Sequence, residues 1–327
     1  MAGTKATKPQ RTRAQHYVPQ FYLRGFTNAR GKLFCYDKAT GRSFSTTTED
    51  AAQERDFYEV SPAVFPSIPF NFMEKLLSDM ESKWKPVHDE LIRCADAGRI
   101  SNELTIGYAP FLAIQWLRTK TNRDATSQIA QRSMQSIADE LVEYNFPGEK
   151  KPKVTLGDDG IVALHVEELL DRPKIDRMAK DLERHIWVVG INRTEHLFYT
   201  SDHPVVRRAN QMKAGRQLVG IRDPGIEFVF PLDSTHAILI LERSYFADWR
   251  QHNNRSVLLT AKQVKDYNTL QVMRSGQRVF CANDEFDLAR GVCKVHPEVC
   301  DPNRQRVRVE MTPIKDMKND IIVTALE

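Results

Sequence analysis

The sequence predicts an α+β fold, in which a helical middle segment packs on a mostly antiparallel sheet formed by an N-terminal hairpin and later strands. Helical periodicity is concentrated between residues 71 and 185, and strand patterns lie on both sides of that segment. Strands and helices do not alternate as they do in βαβ units. A chain of 327 residues with 41% hydrophobic residues is long enough for a large core. We expect one α+β domain over residues 15–290 and a C-terminal extension over 291–327.

Residues 1–14 have no apolar periodicity, which predicts a disordered basic tail. The tail contains Lys5, Lys8, Arg11 and Arg13 and no acidic residue, whereas the whole chain has 47 Lys and Arg against 43 Asp and Glu. The net charge of +4 is therefore located in the tail. This charge does not indicate a basic domain that binds nucleic acid, since such a domain needs its charge on a folded face.

The first strands form a predicted hairpin. Residues 32–37 and 42–46 are rich in apolar and aromatic side chains, and they flank the Gly-containing turn Lys38-Ala39-Thr40-Gly41. A second hairpin is predicted from residues 185–191 and 197–200. Two further strands follow at 227–232 and 237–241, and the last strand is predicted at 278–282.

Four helices are predicted in the middle segment. The first runs from Asn71, is kinked or split by Pro86 and ends at Gly98, and Ser101 caps the second. The remaining two are predicted at residues 125–144 and 166–185, with a charged connector at 147–160 between them. A later helix is capped by Thr260 and extends to about Arg274.

Several functional classes are excluded by the sequence. There is no Walker A loop, no dinucleotide-binding glycine pattern, no H-E-x-x-H and no G-x-S-x-G motif. No window approaches the roughly 18 consecutive apolar residues of a membrane span, so we expect no membrane partner. The five cysteines are scattered and odd in number, which favours a reducing, cytoplasmic location. The oligomeric state stays open.

The segment His16–Phe26 is the most unusual in the chain. His16, Gln20 and Arg24 recur every four residues among aromatic side chains, and Gln20 and Arg24 share one face if the segment is helical after Pro19. Histidine is suited to act as a general acid or base, or as a ligand. The alternative is a buried histidine with a structural role.

A larger set of motifs makes the chain recognisable. After HYVPQFYLRGF at residues 16–26, the segments that carry the resemblance are Tyr36-Asp37 with Gly41, Ala51-x-x-Glu54-x-Asp56-Phe57-Tyr58, Met80-Glu81-Ser82, residues 113–119, residues 200–205, Phe230-Pro231-Leu232 and Asn268. Over residues 15–282 the sequence resembles the bacterial domain-of-unknown-function 4238 family. That family usually has Asn after its Ser-Asp pair, where this chain has His203. The resemblance implies a motif set and no activity.

Polar residues in apolar surroundings give the candidate site. Gln115 and Arg118 lie at i, i+3 within the core-like run FLAIQWL, and both need partners, which Glu54, Glu81, Asp202 or an anionic ligand can supply. Asp202 follows a predicted strand, where functional groups are common. Alternatively, the Ser201-Asp202 pair is a turn or a cap.

Together these residues predict a hydrolase that acts on a phosphate-containing substrate, with a nuclease as its most specific form. His16 and Asp202 are the predicted catalytic residues, and Gln20, Arg24, Gln115 and Arg118 the predicted substrate-binding residues. Glu54 and Asp202 are predicted ligands of a divalent metal such as Mg²⁺ or Mn²⁺. One alternative is a non-catalytic sensor or binding module for a small anionic ligand or a partner peptide, in a bacterial defence or stress system. The other is an internal structural brace.

The cysteines allow one further prediction. Cys281, Cys293, His296 and Cys300 offer four ligands for a structural zinc ion. Their spacing matches no standard zinc motif, and free buried cysteine is the commoner outcome. Both interpretations stay open at the level of sequence.

Overall fold

Helices and antiparallel strands occupy separate parts of the chain, which confirms the α+β prediction. The computed structural model describes residues 13–213, 216–217, 219–311 and 321–325. Most of the predicted basic tail, residues 1–12, lies outside the described residues. The first strand begins at Ala14, the last residue assigned to that tail.

The N-terminal motif forms a short strand followed by a helix. Strand β1 (Ala14–His16) pairs antiparallel with β4 (Gln53–Arg55), with His16 opposite Gln53. Helix α1 (Gln20–Leu23) follows Pro19 and continues into a 3₁₀ turn at Arg24–Phe26. Proline at the start of a helix has no amide to satisfy, which explains why α1 begins directly after Pro19.

The predicted N-terminal hairpin is confirmed. Strands β2 (Leu33–Asp37) and β3 (Arg42–Thr46) pair antiparallel, and Gly41 adopts a φ of +68° at the turn. They belong to a four-stranded sheet in the order β3-β2-β13-β6, which β6 (Thr200–Ser201) and β13 (Arg278–Cys281) complete.

The other strands form a second sheet instead of joining the first. Its order is β12-β5-β11-β10-β7, and all pairs are antiparallel except β12 with β5. The bounds of its strands are β5 Ile186–Asn192, β7 Val206–Ala209, β10 Ile226–Pro231, β11 His236–Leu241 and β12 Arg255–Leu259. Two short strands, β8 (Met212–Lys213) and β9 (Arg216–Gln217), pair with each other.

The predicted hairpin between residues 185 and 200 is wrong. Strand β5 pairs with β11 and β12, while residues 200–201 pair with β13 of the other sheet. Strand β5 is buried along nearly its whole length, so it needs neighbours on both edges, and the following residues cross to the other sheet. The antiparallel pair β10–β11 agrees with the two later strands predicted from the sequence.

Seven α-helices longer than one turn lie in the described part of the chain. They are α2 Phe72–Asp96, α3 Asn102–Leu117, α4 Lys120–Asn145, α5 Asp158–Leu170, α6 Arg172–Glu183, α7 Ala261–Arg274 and α8 Asp287–Val295. Ser101 and Thr260 cap α3 and α7 as predicted. The single helix predicted at 166–185 is two helices, because Asp171 ends α5 and caps α6. Among the described residues, no helix is both long and apolar enough to span a bilayer.

The core holds the N-terminal motif against α3 and the five-stranded sheet. The Tyr22 ring stacks on Phe230 with centroids 4.8 Å apart, and Phe111 packs edge-on against Phe230 at 6.0 Å. The domain boundary expected at residue 290 falls inside α8. Beyond it, β14 (Val307–Met311) pairs with β15 (Ile321–Ala325) and lies against α4.

Candidate functional site

A polar cavity of about 290 Å³ lies between α1, α2 and the C-terminal end of α3. Its charged and polar lining includes His16, Gln20, Arg24, Glu74, Glu81 and Arg118. Four of the six were predicted as site residues from the sequence. We call this space the first cavity.

Arg118 is the most buried charged group of the first cavity, with 3% of its side chain exposed. Its Nη1 donates a hydrogen bond to Glu81 Oε1 at 2.7 Å, and its Nη2 donates to the carbonyl oxygen of His16 at 2.5 Å. Burial opposes the charge, but Tyr58 and Glu81 outweigh burial and hold the pKa of Arg118 above its ordinary value. The cavity therefore contains a permanent positive charge in a fixed position.

His16 is neutral at pH 7. Its Nε2 lies 2.8 Å from the carbonyl oxygen of Glu49, so this nitrogen carries the hydrogen and donates it. The other nitrogen, Nδ1, then keeps its lone pair. Burial lowers the pKa of His16 below its usual value, which favours this neutral form. Gln20 Nε2 lies 3.4 Å from His16 Nε2.

Two carboxyl groups of α2 line the first cavity in different surroundings. Glu74 and Glu81 are seven residues apart and so lie two turns apart on one side of the helix. Glu81 is neutralised by Arg118, whereas Glu74 has no hydrogen bond or ion pair with any described residue. Burial raises the pKa of Glu74 to about 7. A carboxyl group whose pKa lies near neutral pH is typical of acid–base sites.

The edge of the first cavity is positively charged. Arg24 is exposed there, and no hydrogen bond or ion pair joins its side chain to another described residue. Lys85 also lines the cavity and pairs with Asp89 at 2.5 Å on the next turn of α2. An anionic group entering the cavity would meet these cations first.

A family model described as Protein of unknown function (DUF4238) matches residues 14–285. The chain belongs to this family. The DUF4238 description assigns no activity, and no curated protein and no solved structure matches the chain. The function must therefore be argued from the site.

The N-terminal motif of this DUF4238 protein supplies three of the polar cavity residues, His16, Gln20 and Arg24. His203 stands where the resemblance leads one to expect Asn. Its Nδ1 forms a 2.7 Å hydrogen bond with Thr119 Oγ1, and burial lowers its pKa to about 3. His203 is therefore a neutral structural residue, located outside the first cavity.

Gln115 lies in the core and does not line the first cavity. Its Nε2 donates a 3.1 Å hydrogen bond to the carbonyl oxygen of Tyr17, and its Oε1 has no hydrogen-bond partner in the described structure. Gln115 therefore holds the main chain next to His16 in place, and it contributes to the site by positioning that segment.

Asp202 and Glu54 line a different cavity of about 330 Å³, which we call the second cavity. The carboxylate of Asp202 accepts hydrogen bonds of 2.7, 2.6 and 2.8 Å from the backbone N–H groups of Gly276, Gln277 and Arg278. Glu54 forms ion pairs with Lys120 and Arg123. The single cluster predicted from the sequence is thus divided between two cavities.

Glu54 and Asp202, the predicted ligands of a divalent metal, line the same cavity, and each has protein partners there. Among the described residues, no three His, Cys, Asp or Glu side chains are grouped so as to hold a metal ion. Of the predicted zinc ligands, Cys281 Sγ lies 3.1 Å from Asn283 Oδ1 and His296 Nδ1 lies 3.2 Å from Glu298 Oε1. Burial and the neighbouring Cys300 raise the pKa of Cys293 to about 12. Cys293 and Cys300 are therefore neighbours, whereas Cys281 and His296 have partners outside the predicted set.

Sequence reasoning missed Glu74. It lies in the first turn of α2 at helical spacing from Glu81, which is a visible signal. Its burial, however, comes from its position beside α1 and the end of α3, and nothing within α2 indicates this contact.

Proposed function

We propose that the protein is a hydrolase that cleaves a phosphate ester bound in the first cavity. One observation carries the proposal. Glu74, an unpaired carboxyl group with a pKa of about 7, lines this cavity together with neutral His16 and buried Arg118. A proton donor, a proton acceptor and a fixed positive charge are the groups that ester hydrolysis needs.

The charge of the cavity favours an anionic substrate. Arg24 and Arg118 contribute two positive charges, in addition to Lys85 with its partner Asp89, against the one negative charge of Glu81 when Glu74 is protonated. Arginine side chains recognise phosphate oxygens through paired hydrogen bonds. In this role Arg24 and Gln20 bind the phosphate oxygens, and Arg118 stabilises the charge that develops on them.

The proposed reaction moves two protons. His16 accepts a proton from water through Nδ1 as the water oxygen bonds to phosphorus. Glu74 in its protonated form donates a proton to the leaving oxygen as the phosphorus–oxygen bond breaks. Glu81 touches Arg118 and serves to position it.

The size of the first cavity limits the substrate. A volume of about 290 Å³ is at the lower end of the range for small-molecule sites, roughly 300 to 1,000 Å³. It suits a small phosphate ester or the terminal nucleotide of a nucleic-acid strand. A long nucleic acid would need further contacts outside this cavity.

A second candidate function is binding without turnover. Nη1 and Nη2 of Arg118 already donate to Glu81 and His16, and His16 Nε2 already donates to Glu49. Groups held this firmly by the protein also suit a sensor that binds a small anion. The hydrolase and the sensor would bind the same class of ligand, so the measurement that distinguishes them is whether a bound phosphate ester is hydrolysed.

The test is a hydrolysis assay with p-nitrophenyl phosphate, bis(p-nitrophenyl) phosphate and a short single-stranded oligonucleotide, with EDTA and with added Mg²⁺ or Mn²⁺. We expect turnover in EDTA and a loss of at least about 100-fold in His16→Gln and Glu74→Gln. Glu90→Gln, an exposed glutamate on the same helix, is the matched control and should keep full activity.

The rate should rise with pH through the lowered pKa of His16 and fall near pH 7, where Glu74 loses its proton.

Three results would contradict the hydrolase proposal. The first is phosphate binding in the first cavity without turnover of any substrate, which would support the sensor. The second is full activity in folded His16→Gln and Glu74→Gln proteins. The third is activity that EDTA abolishes and Mg²⁺ or Mn²⁺ restores, which would favour metal-dependent chemistry as first expected from Glu54 and Asp202.

A further inference from the structure

The second cavity lies at the N-terminal end of α4 and shares no lining residue with the first cavity. Its lining includes Tyr17, Lys120, Asp124, Arg278, Asn303 and Arg306. Neighbouring residues of the chain line different cavities, since His16 belongs to the first and Tyr17 to the second. Nothing in the proposed hydrolysis uses the second cavity.

Arg306 is a buried cation whose Nε donor forms no hydrogen bond with the described residues. Only 7% of its side chain is exposed, and its Nε has no hydrogen-bond partner in the described structure. This nitrogen lies 3.8 Å from Asp124 Oδ2, beyond hydrogen-bonding distance. Leaving a buried charged donor without an acceptor is costly, so an acceptor from a ligand is expected in the cavity.

Arg278 provides a second guanidinium group in the same cavity. Its backbone N–H binds Asp202, but its half-buried side chain forms no hydrogen bond or ion pair with the described residues. Two guanidinium groups with unused donors can bind the oxygens of one anion from two directions.

The acidic residues of the second cavity form no hydrogen bond with the side chains of these two arginines, although Asp124 forms an ion pair with Arg306. Asp202 accepts three backbone hydrogen bonds, and Glu54 pairs with Lys120 and Arg123. The carboxylate of Asp124 lies 3.8 Å from Arg306 Nε, too far for a hydrogen bond. The N-terminal end of α4, a helix of 26 residues, adds a favourable dipole for a bound anion.

We propose that the second cavity is a binding site for the phosphate group of a small molecule, held by Arg306 and Arg278 beside the N-terminal end of α4. The volume of about 330 Å³ leaves room for a small organic group attached to the phosphate. This site is independent of the proposed hydrolase activity, because its ligand would not contact His16, Glu74 or Arg118.

The test is a calorimetric titration of the full-length protein with inorganic phosphate, and with malonate as a carboxylate probe. Phosphate should bind, and Arg306→Gln and Arg278→Gln should each weaken its affinity at least tenfold, because each removes charge-assisted hydrogen bonds. Arg24→Gln changes an arginine of the first cavity and is the matched control. This control should leave the affinity of the second cavity unchanged.

The outcomes separate this site from the first cavity. Phosphate binding that is lost in Arg24→Gln and kept in the other two variants would place the anion in the first cavity and overturn the proposal. Binding of malonate without binding of phosphate would overturn the assignment of the ligand. Arg306 is buried, so Arg306→Gln could fail to fold. In that case the test depends on Arg278→Gln, whose side chain is more exposed. An unchanged affinity for phosphate in folded Arg278→Gln would overturn the proposal.

Discussion

Arg118 donates a hydrogen bond of 2.5 Å to the backbone carbonyl oxygen of His16, across 102 residues of sequence. The contact joins the C-terminal end of α3 to β1 and fixes the main chain at the residue proposed as the catalytic base. Glu81 holds the other side of the same guanidinium group. One buried arginine therefore contributes both to the stability of the fold and to the geometry of the first cavity.

Replacing Arg118 should be strongly destabilising. Arg118→Ala leaves the carboxylate of Glu81 and the carbonyl of His16 without their donor, and breaking a buried ion pair costs about 3–5 kcal/mol. Urea unfolding at pH 7 measures the loss. Arg93→Ala removes an exposed arginine that pairs with Glu90 on α2 and should have a much smaller effect, because exposed ion pairs contribute little. A loss of similar size in the two variants would show that Arg118 has no special structural role.

Asp202 is expected to stabilise the turn at residues 276–278. Its carboxylate accepts three backbone hydrogen bonds, and Asp202→Asn replaces one acceptor oxygen with an NH₂ group that cannot accept them. We expect a loss of about 2–3 kcal/mol in the free energy of unfolding, by urea denaturation. Asp139→Asn, on the partly exposed α4, is a suitable control. If Asp202→Asn unfolds like the wild type, the carboxylate is dispensable for this turn.

His236 should make stability depend on pH. Burial opposes its charged form, but Asp233 and Asp96 outweigh burial and raise the pKa of His236 above its usual value of 6.5. A raised histidine pKa contributes stability that is fully present below about pH 6.5 and is lost as pH rises through the folded pKa. The wild type should therefore exceed His236→Gln in stability by more at pH 5.5 than at pH 8.5.

Urea unfolding at the two pH values measures this difference, and His196→Gln is the control. His196 lies beside the exposed Glu195 and is itself partly exposed, so its replacement should have a small effect at both pH values. An advantage of the wild type over His236→Gln that is larger at pH 8.5 would reverse the sign and contradict the assignment.

The parts of the fold that depend on local signals were predictable from the sequence. The turn at Gly41 predicts the hairpin of β2 and β3, and Ser101 and Thr260 mark the starts of α3 and α7 by their capping chemistry. The division of the strands into two sheets was not predictable, because β6 pairs with β13 about 80 residues later. No residue between β5 and β6 indicates that the chain changes sheets there.

The candidate site, like the fold, was predictable only in the parts that depend on local sequence signals. His16, Gln20 and Arg24 were found because their regular spacing lies within one short segment, and Arg118 because a charge within an apolar helix is conspicuous. Asp202 was assigned to the same site only because a carboxylate can act as a base or a metal ligand. In the structure its partners are backbone amides of a turn more than 70 residues later. Glu74 was missed because an acidic residue in the first turn of a helix is normally a solvated, dipole-stabilising group.

The proposed proton donor should reduce the stability of the protein at alkaline pH. Burial raises the pKa of Glu74 from its ordinary value of 4.5 to about 7, so the folded state loses stability as pH rises through this interval. Glu74→Gln is a neutral replacement of the same size and avoids this loss. At pH 8 the variant should be more stable than the wild type by about 1–2 kcal/mol, after discounting for the partial exposure of the side chain. At pH 4 the two proteins should be nearly equal.

Urea unfolding of both proteins at pH 4 and pH 8 measures this effect. Glu81→Gln is the matched control on the same helix, and it should destabilise at pH 8 because it removes the partner of buried Arg118. A destabilised Glu74→Gln at pH 8 would show that the carboxylate has an attractive partner in the first cavity, in conflict with its role as a proton donor. A gain in stability together with a loss of turnover would be the expected signature of a residue retained for chemistry at the expense of the fold.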